Sequence, residues 1–587
     1  MVANTIKYLE DGAEIINMIF TKLKKKTLTS HLIVAGLILN FGISNSYAED
    51  LAVNKETEVV SEEKKIQARL AEIAAEARAA EREKNGYYVE RKSYGTGKET
   101  EPPRYVKQAN KTWLKDFDSF LDTNWLDLGL EQRFRYEYRD NDFRRGARKD
   151  ENSRQIDDKR GSITLDEPIL LRTRAYIGIK NILDPFRFAL EIQDSRTNRG
   201  GYINEFETRD TNDLHILQAY LELNFKETFL GKDPLGNVRP IWIRAGRHAW
   251  EAGDRRLIAR NEWRNTTNNF YGLRANIGDK KNDWQLELHA VNPVQRVADG
   301  NDQTDRSQDF YGAILNYRGW SDIVTFEPSY FLLKQDGNKV TLNATTGLPQ
   351  SSANRVDREI HTALFRAYGV IPSTQFDFDG AYNKQWGKVQ REVTRDRADY
   401  IEVDHDAHAY NFEIGYNVKH PWKPRVSTFY GMATGDKTPQ GIDTTPMERF
   451  ERLFGFARPW SNDDYIQMEN IRTNKVRLEF DPKISFLDNV KVDTGFSWYR
   501  LDSATDRWNA GGDVRDATGG SGRDLGKEYD LRVRFPINQY ASLNLGYAYF
   551  WGGDFVTSPV TFRSVTGSGN RSSESEFFYT ELTLLGF

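Results

Sequence analysis

Seven arginines crowd one short stretch of this 587-residue chain. They are Arg244, Arg247, Arg255, Arg256, Arg260, Arg264 and Arg274. A guanidinium stays charged at neutral pH and holds carboxylates in a two-pronged fork, so this stretch could recognise anions. Seven like charges would repel one another in a fully solvated loop. We therefore expect the stretch to fold inward against Glu251, Asp254 and Glu262, whereas a surface loop that binds anionic lipopolysaccharide is the alternative.

Further arginines recur on one face of segments that alternate apolar and polar residues. On this parity the polar face carries Arg133, Arg135, Arg172, Arg174, Arg187, Arg244, Arg274, Arg477, Arg532 and Arg534. The same face carries Glu131, Glu191, Glu222, Glu287, Glu479 and Asp530. A line of arginines could pass a polyanion from site to site, while the carboxylates keep any single arginine from trapping it. General porins also carry opposed charges around a constriction, which is the alternative interpretation.

Motifs for catalysis are not evident. The sequence contains neither a glycine-rich phosphate loop nor a G-x-S-x-G elbow. In Asp404-His405-Asp406-Ala407-His408, carboxylates and histidines are spaced closely enough for a divalent-cation site. A polar segment at the base of a loop is the alternative. A phospholipase would need a serine matched to His289 or His361, and no such serine is clear. We expect no enzyme activity, no cofactor and no resident metal.

Two repeating patterns in the sequence predict the elements that position these residues. Eighteen segments within Trp125–Phe587 alternate with period two, which predicts strands with one apolar and one polar face. In Trp125–Tyr138, for example, Leu128, Leu130 and Phe134 share one face, whereas charged residues share the other. A wide, wet lumen would tolerate so many charges on an inward face, because an unpaired buried charge is costly.

The gaps between these segments alternate long and short, which predicts antiparallel strands with long loops at one end. The fold class is therefore all-β, a transmembrane antiparallel β-barrel of about 18 strands in a Gram-negative outer membrane. An even count places both ends of the barrel in the periplasm. A count of sixteen stays open, because the segment near Arg358–Gly369 and the long gap 225–240 are the weakest parts of the pattern.

Composition excludes several other classes. Mean hydropathy is −0.70, and no apolar run reaches about 18 residues, which argues against a helical membrane protein. The aromatic content of 13% suits the interfacial girdles of a barrel. The chain has no cysteine and hence no disulfide or thiol chemistry, and a net charge of −4 does not imply a nucleic acid partner.

The N-terminus predicts targeting followed by an extension. Residues 1–48 are expected to be a signal peptide, with four lysines before an apolar Leu32–Ile43 run and a cleavage site at Ser46-Tyr47-Ala48. Met18 is the expected true start, and an uncleaved anchor is the alternative. Residues 49–112 are expected to form a periplasmic helix or short coiled coil, then a linker from Asn85 to Thr112. A solvated single helix or mobile linker is an equal alternative, and a periplasmic partner of the helix is a hypothesis.

The arginine-rich stretch resembles the alginate export porin family. That family has an L-R-x-G-R-Q type strand end, a G-x-x-R-L segment, a W-R-N motif and an F-x-G-x-R strand. The corresponding residues here are Arg244, Gly246, Arg247, Gly253, Arg256, Leu257, Trp263, Arg264, Asn265, Phe270, Gly272 and Arg274, with His248 where the family often has glutamine. Pro424-Arg425-Val426, Ala433 to Asp436, Asn470-Ile471-Arg472 and Gly546 to Phe555 also fit. The resemblance covers about Trp125–Phe587.

The resemblance implies a monomeric eighteen-stranded barrel, residues 113–587, that exports an acidic polysaccharide such as alginate through an arginine-rich constriction. The expected path residues, from parity and from this loop, are Arg133, Arg135, Arg172, Arg174, Arg187, Glu191, Arg244, Arg247, Arg256, Arg264, Arg274, Arg477 and Arg532. Two features depart from the family: the turn Pro536–Tyr540 is short, and the N-terminal helix is an addition. A general or small-anion porin without an export role is the alternative function, and an adhesin or enzyme that uses the long loops is a third class.

Overall fold

The computed structural model describes residues of two units, Met1–Glu72 and Ile73–Phe587, and the barrel belongs to the second. The described residues are 69, 85–89, 92–94, 102–142, 165–198, 208–297, 300–337, 341–342, 349–350, 357–371, 374–392, 400–438, 444–485, 489–508, 514–561 and 573–587. The expected signal peptide lies outside the described residues, and so does the expected helix apart from Arg69. The proposed domain boundaries stay predictions.

Eighteen long strands form the wall. They are β1 Leu126–Asp140, β2 Ile169–Ile179, β3 Phe186–Asn198, β4 Asn212–Phe225, β5 Ile241–His248, β6 Phe270–Ile277, β7 Trp284–Gln295, β8 Gln308–Tyr317, β9 Val324–Gln335, β10 Arg358–Val370, β11 Phe376–Glu392, β12 Tyr400–Asn417, β13 Arg425–Ala433, β14 Ile471–Phe480, β15 Lys491–Arg500, β16 Asp524–Pro536, β17 Ala541–Gly552 and β18 Glu574–Leu585. Each pairs antiparallel with its neighbours, and β18 pairs back onto β1 with Glu581 opposite Arg135. The predicted eighteen-stranded barrel is confirmed, because this last pairing closes the sheet.

The remaining described elements are short. The two-residue strands are Leu165–Asp166, Gln303–Thr304, Thr341–Leu342 and Pro349–Gln350. The 3₁₀ helices are Ala109–Lys111, Trp113–Asp116 and Ser119–Leu121, and one α-helical turn, α1, spans Asp554–Thr557. The strand Val106–Gln108 pairs with the first residues of β1, next to the point where the β1–β18 pairing ends at Leu585. None of the helices in the described part of the chain is long and apolar enough to cross a membrane.

The alternation of side chains separates an apolar outer face from a charged inner face. On β1, Leu130 and Phe134 are 42% and 41% exposed, whereas Arg133 and Arg135 are 2% and 1% exposed. The outer face can be apolar because lipid surrounds it, and the closed pairing leaves no unpaired strand edge in the hydrocarbon. The inner face is where the charged residues gather.

Among the described residues, several long connections pack into the lumen, and two of them hold the candidate site. The β5–β6 connection (249–269), here called the first loop, packs Trp250 and Leu257 into an aromatic cluster with inward residues such as Phe270, Phe310 and Phe331. The described parts of the β13–β14 connection (434–438 and 444–470), the second loop, join the same cluster. A wide, wet lumen was expected from the inward charges. The structure instead fills much of it, and the charges are accommodated by pairing and by loop carbonyls.

The outer face gives a test of membrane embedding. Leu273 is 54% exposed in the middle of β6, whereas Ile182 is 56% exposed in the turn between β2 and β3. Leu273→Arg should destabilise the barrel by roughly 2–4 kcal/mol, because the charge enters the hydrocarbon, whereas Ile182→Arg at the interface should cost about 0–1 kcal/mol. Denaturant titration in lipid vesicles measures the free energy of unfolding of both variants. Equal costs would contradict the placement of Leu273 in the hydrocarbon and Ile182 at the interface.

Candidate functional site: a charged constriction in the lumen

The arginines of β1 and β2 are held by the first loop. Arg172 forms an ion pair with Glu131 at 2.8 Å, and Arg174 forms one with Glu262 of the loop at 2.6 Å. Arg133 donates to the backbone oxygen of Glu262 at 2.8 Å. The first loop therefore lies inside the barrel, which is the inward arrangement rather than a lipopolysaccharide-binding surface loop.

Trp263 sits at the centre of this contact. The guanidiniums of Arg135 and Arg458 lie 3.9 Å and 3.4 Å from its ring centroid, and Arg135 also donates to its backbone oxygen at 2.6 Å. The indole nitrogen donates to Asp464 of the second loop at 2.9 Å. Cations over an indole face are stabilised by the ring quadrupole, so Trp263 joins the wall to both loops.

Asn265 fixes the end of the first loop. Its amide group donates to the backbone oxygens of Leu171, Arg196 and Asp210 at 2.9, 3.1 and 2.9 Å. Its carbonyl oxygen accepts from Arg133 at 3.0 Å, and the side chain is fully buried. This single residue therefore links the loop to three wall strands and the connection after β3.

Most of the other expected residues face inward and are paired. Arg244 and Arg187 share Glu222 at 2.8 and 3.5 Å, and Arg274 pairs with Glu287 at 3.0 Å. On β3, Glu191 accepts from Arg260 at 3.1 Å.

The opposite wall is organised in the same way. Arg477 pairs with Asp530 and Asp493 at 2.8 and 3.0 Å, and Arg532 pairs with Asp493 at 3.0 Å. Glu581, which breaks the apolar pattern of the last strand, accepts from Asn544 and lies 3.4 Å from Arg135. The irregularity in β18 is thus a lumen charge.

Two expected residues lie apart from this group. Arg247 is on the face of β5 opposite to Arg244 and donates to the backbone oxygens of Ile216 and Asp302. Arg256 is buried at the tip of the first loop, where it pairs with Asp254 at 2.8 Å and lies near the rings of Phe429 and Trp460.

Arg264 belongs to a second group on the side of the long loops. Its charge interacts with those of Arg209, Arg296 and Arg452, and with Asp464. Within the described part of the chain, the guanidiniums of Arg264 and Arg452 have no hydrogen bond or ion pair, although both are only partly buried. Burial and then the neighbouring arginines lower the pKa of Arg264, but a guanidinium starts high enough to stay charged at neutral pH. Neither guanidinium is therefore held in a direct ion pair, although Asp464 acts on Arg264, and Glu469 and Glu451 act on Arg452, at longer range.

A cavity of about 870 Å³ lies on the short-turn side of the loops. Arginine and lysine outnumber carboxylates in its lining by eleven to seven. The eleven are Lys92, Arg104, Arg133, Arg172, Arg174, Arg255, Arg260, Arg458, Lys491, Arg532 and Arg534, and the seven are Glu131, Glu251, Glu262, Glu479, Asp481, Asp493 and Glu581. The lining of this cavity is thus net positive.

Glu262 is a carboxylate that balances the charge of several wall and loop arginines. Burial favours its neutral form, but Arg174, Arg260 and Arg172 outweigh that effect, and the pKa of Glu262 lies well below its usual range. A carboxylate with a depressed pKa stays ionised in mild acid, so its ion pairs with the wall persist there.

The histidine cluster on β12 is divided between two faces. His405 is buried and contacts Gln385 at 3.2 Å, whereas Asp404 and Asp406 are exposed on the outer face. Among the described residues, no group of three or more histidine, aspartate or glutamate side chains could hold a metal ion. His361 lies on the outer face against Trp386 and Tyr330, and His289 is buried among aromatic rings.

A closed antiparallel barrel with an apolar exterior and a charged constriction is an outer-membrane channel. The family model described as "Alginate export" matches residues 124–564, and the chain belongs to this family. The resemblance in the arginine-rich stretch is confirmed. The family is one of transport porins rather than an enzyme class.

Several solved porin structures are similar to this chain at low sequence identity. OccAB1 of Acinetobacter baumannii is 11% identical, with 79% of this chain and 97% of that chain covered and a TM-score of 0.49. OccK5 (OpdH) of Pseudomonas aeruginosa is 10% identical, with 79% and 98% covered and a TM-score of 0.44. OpdK of Pseudomonas aeruginosa, solved with vanillate, is 10% identical, with 78% and 98% covered and a TM-score of 0.46. No curated protein matches the sequence.

Asn265 provides a test of the loop anchor. Asn265→Ala should destabilise the docked loop by about 1–3 kcal/mol, because it removes one acceptor of Arg133 and the side-chain donor to three backbone carbonyls. The single-channel conductance in planar bilayers should rise as the loop leaves the constriction. Asn474→Ala, on the exposed outer face of β14, is the matched control, and an unchanged conductance for both variants would show that this anchor does not limit the pore.

Proposed function

We propose that this channel carries an acidic polysaccharide of the alginate kind outward across a Gram-negative outer membrane. The observation that carries the proposal is that, among the described residues, the guanidiniums of Arg264 and Arg452 beside the constriction form no ion pair. A guanidinium that is partly exposed and lacks a carboxylate partner can bind a passing carboxylate without first breaking an ion pair.

The order of the charges favours a polymer. A uronate chain would meet the net positive cavity on the short-turn side, then the cations around Trp263, and then the group at Arg264. Arg133, Arg172, Arg174, Arg477 and Arg532 line or border this route, and their carboxylate partners moderate binding so that successive residues are released. Membership in the alginate export family supports the same substrate class.

A small-anion porin is the second candidate. Ion pairs such as Arg244–Glu222 and Arg274–Glu287 place opposed charges along the wall, which is also how a general porin builds its constriction. The two loops narrow the lumen further. Under this alternative, the channel would select small anions but would not bind a uronate chain.

The expected surroundings follow from the fold. The partners we propose are the anionic polysaccharide or small anions inside the barrel and outer-membrane lipid outside it. The barrel is proposed to act as a monomer, because its sheet closes on itself and the lumen lies within one chain.

Removing the two unpaired guanidiniums tests the path. Arg264→Ala with Arg452→Ala should reduce the anion-to-cation permeability ratio by roughly fivefold, since a unit charge about 4 Å away is worth ~1 kcal/mol even in water. The reversal potential under a KCl gradient measures this ratio, and the difference should grow at low ionic strength.

Arg472→Ala is the control for this pair, because Arg472 is 46% exposed on the outer face and pairs with Asp502 at 2.7 Å. It should leave the reversal potential unchanged. If the double variant also keeps the original reversal potential, Arg264 and Arg452 are not on the ion path.

A further inference from the structure

The chain before the barrel returns into the lumen. We call its described residues 85–89, 92–94 and 102–108 the strap. Tyr87 donates from its backbone to Lys281 in the short turn between β6 and β7 at 2.9 Å. The other end, Val106–Gln108, pairs with β1. Residues between these points contact wall strands on the far side of the lumen.

Tyr94 contacts both the barrel wall and the second loop. Its backbone nitrogen donates to the Glu413 carboxylate at 3.1 Å, and Arg477 lies 3.6 Å from its ring centroid. Its hydroxyl exchanges hydrogen bonds with Asn462 of the second loop at 3.0 to 3.2 Å. Ser93, next to it, donates to Asp379. Tyr94 therefore covers a wall arginine and holds a constriction loop at once.

Tyr105 makes the equivalent contact on the other side. Its hydroxyl donates to Glu191, and Glu191 also accepts from Arg260 of the first loop at 3.1 Å. Tyr105 is 3% exposed, and its ring packs with Tyr176 and with Leu585 of the last strand. Each strap tyrosine thus reaches a group that also fixes one of the two loops.

The strap also bounds the cavity on the short-turn side. Lys92, Ser93, Tyr94, Pro103, Arg104 and Tyr105 all line it. A solute that enters from this side must pass the same arginines and carboxylates that the strap occupies.

We propose that the strap is an autoinhibitory element that closes the periplasmic half of the lumen and must withdraw before a large solute passes. In the resting state Tyr94 covers Arg477, and Tyr105 donates to Glu191. Their withdrawal uncovers Arg477 and Glu191 and loosens both loops together. The inference needs only that the lumen conducts ions, so it does not depend on the identity of the solute.

Conductance of the full mature chain in planar bilayers tests the closure. Tyr94→Ala with Tyr105→Phe should raise the open fraction in KCl by about tenfold or more, because the hydroxyl hydrogen bonds of both tyrosines and a cation–π contact no longer favour the closed state. Tyr311→Ala with Tyr416→Phe removes the same atoms from the outer face and should behave like the parent. A heat-modifiable gel shift establishes that each barrel has formed.

Thiol labelling gives a second readout, because the chain contains no cysteine. Lys92 is exposed and Ser93 is buried. A polyethylene glycol maleimide should therefore label Lys92→Cys rapidly and Ser93→Cys at least about tenfold more slowly. Adding Tyr94→Ala should abolish the difference between the two sites.

The proposal is overturned if Ser93→Cys reacts as fast as Lys92→Cys in the otherwise unchanged chain, or if the tyrosine variant conducts like the parent. A larger open fraction in the tyrosine variant, without uronate binding, would support the strap proposal and contradict the proposed polysaccharide substrate. Uronate binding with unchanged conductance would do the reverse.

Discussion

The need to neutralise inward-facing charge governs this structure. Arg133, Arg172, Arg174 and Arg477 are almost fully buried, and removing one partner from a buried ion pair typically costs about 3–5 kcal/mol. The barrel meets this need with carboxylates on adjacent strands and with loop carbonyls. The loops enter the lumen because they complete the coordination of these arginines, and the constriction is a consequence of the pairing.

The same constraint separates structural from available arginines. A paired guanidinium fixes a loop and offers little to a passing anion, whereas Arg264 and Arg452 form no ion pair among the described residues. Arg104 and Lys92 likewise extend into the cavity lining from the strap. Under the proposed function, passage of an acidic chain would depend on the contrast between many fixed ion pairs and a few cations outside them.

The strand pattern could be predicted because lipid and lumen impose opposite polarity on alternate side chains of the wall. Even Glu581, an exception in the pattern, is explained by its arginine neighbours. The long loops could not be predicted in this way, since their positions depend on contacts distant in sequence, such as Asn265 with Asp210 and Trp263 with Asp464. Arg452, Arg458 and the strap tyrosines were missed for this reason, while strand parity alone would have separated Arg247 from Arg244.

The most direct test of the central claim is block of the open channel by an acidic oligosaccharide. Oligomannuronate added to one side of a planar bilayer should interrupt the KCl current, and a carboxyl-reduced, neutral oligomer of the same length should not. Weaker block at high salt would accompany this result, because screening reduces the attraction of the arginines. Equal effects of the charged and neutral oligomers, or no block by either, would contradict a path built for polyuronates.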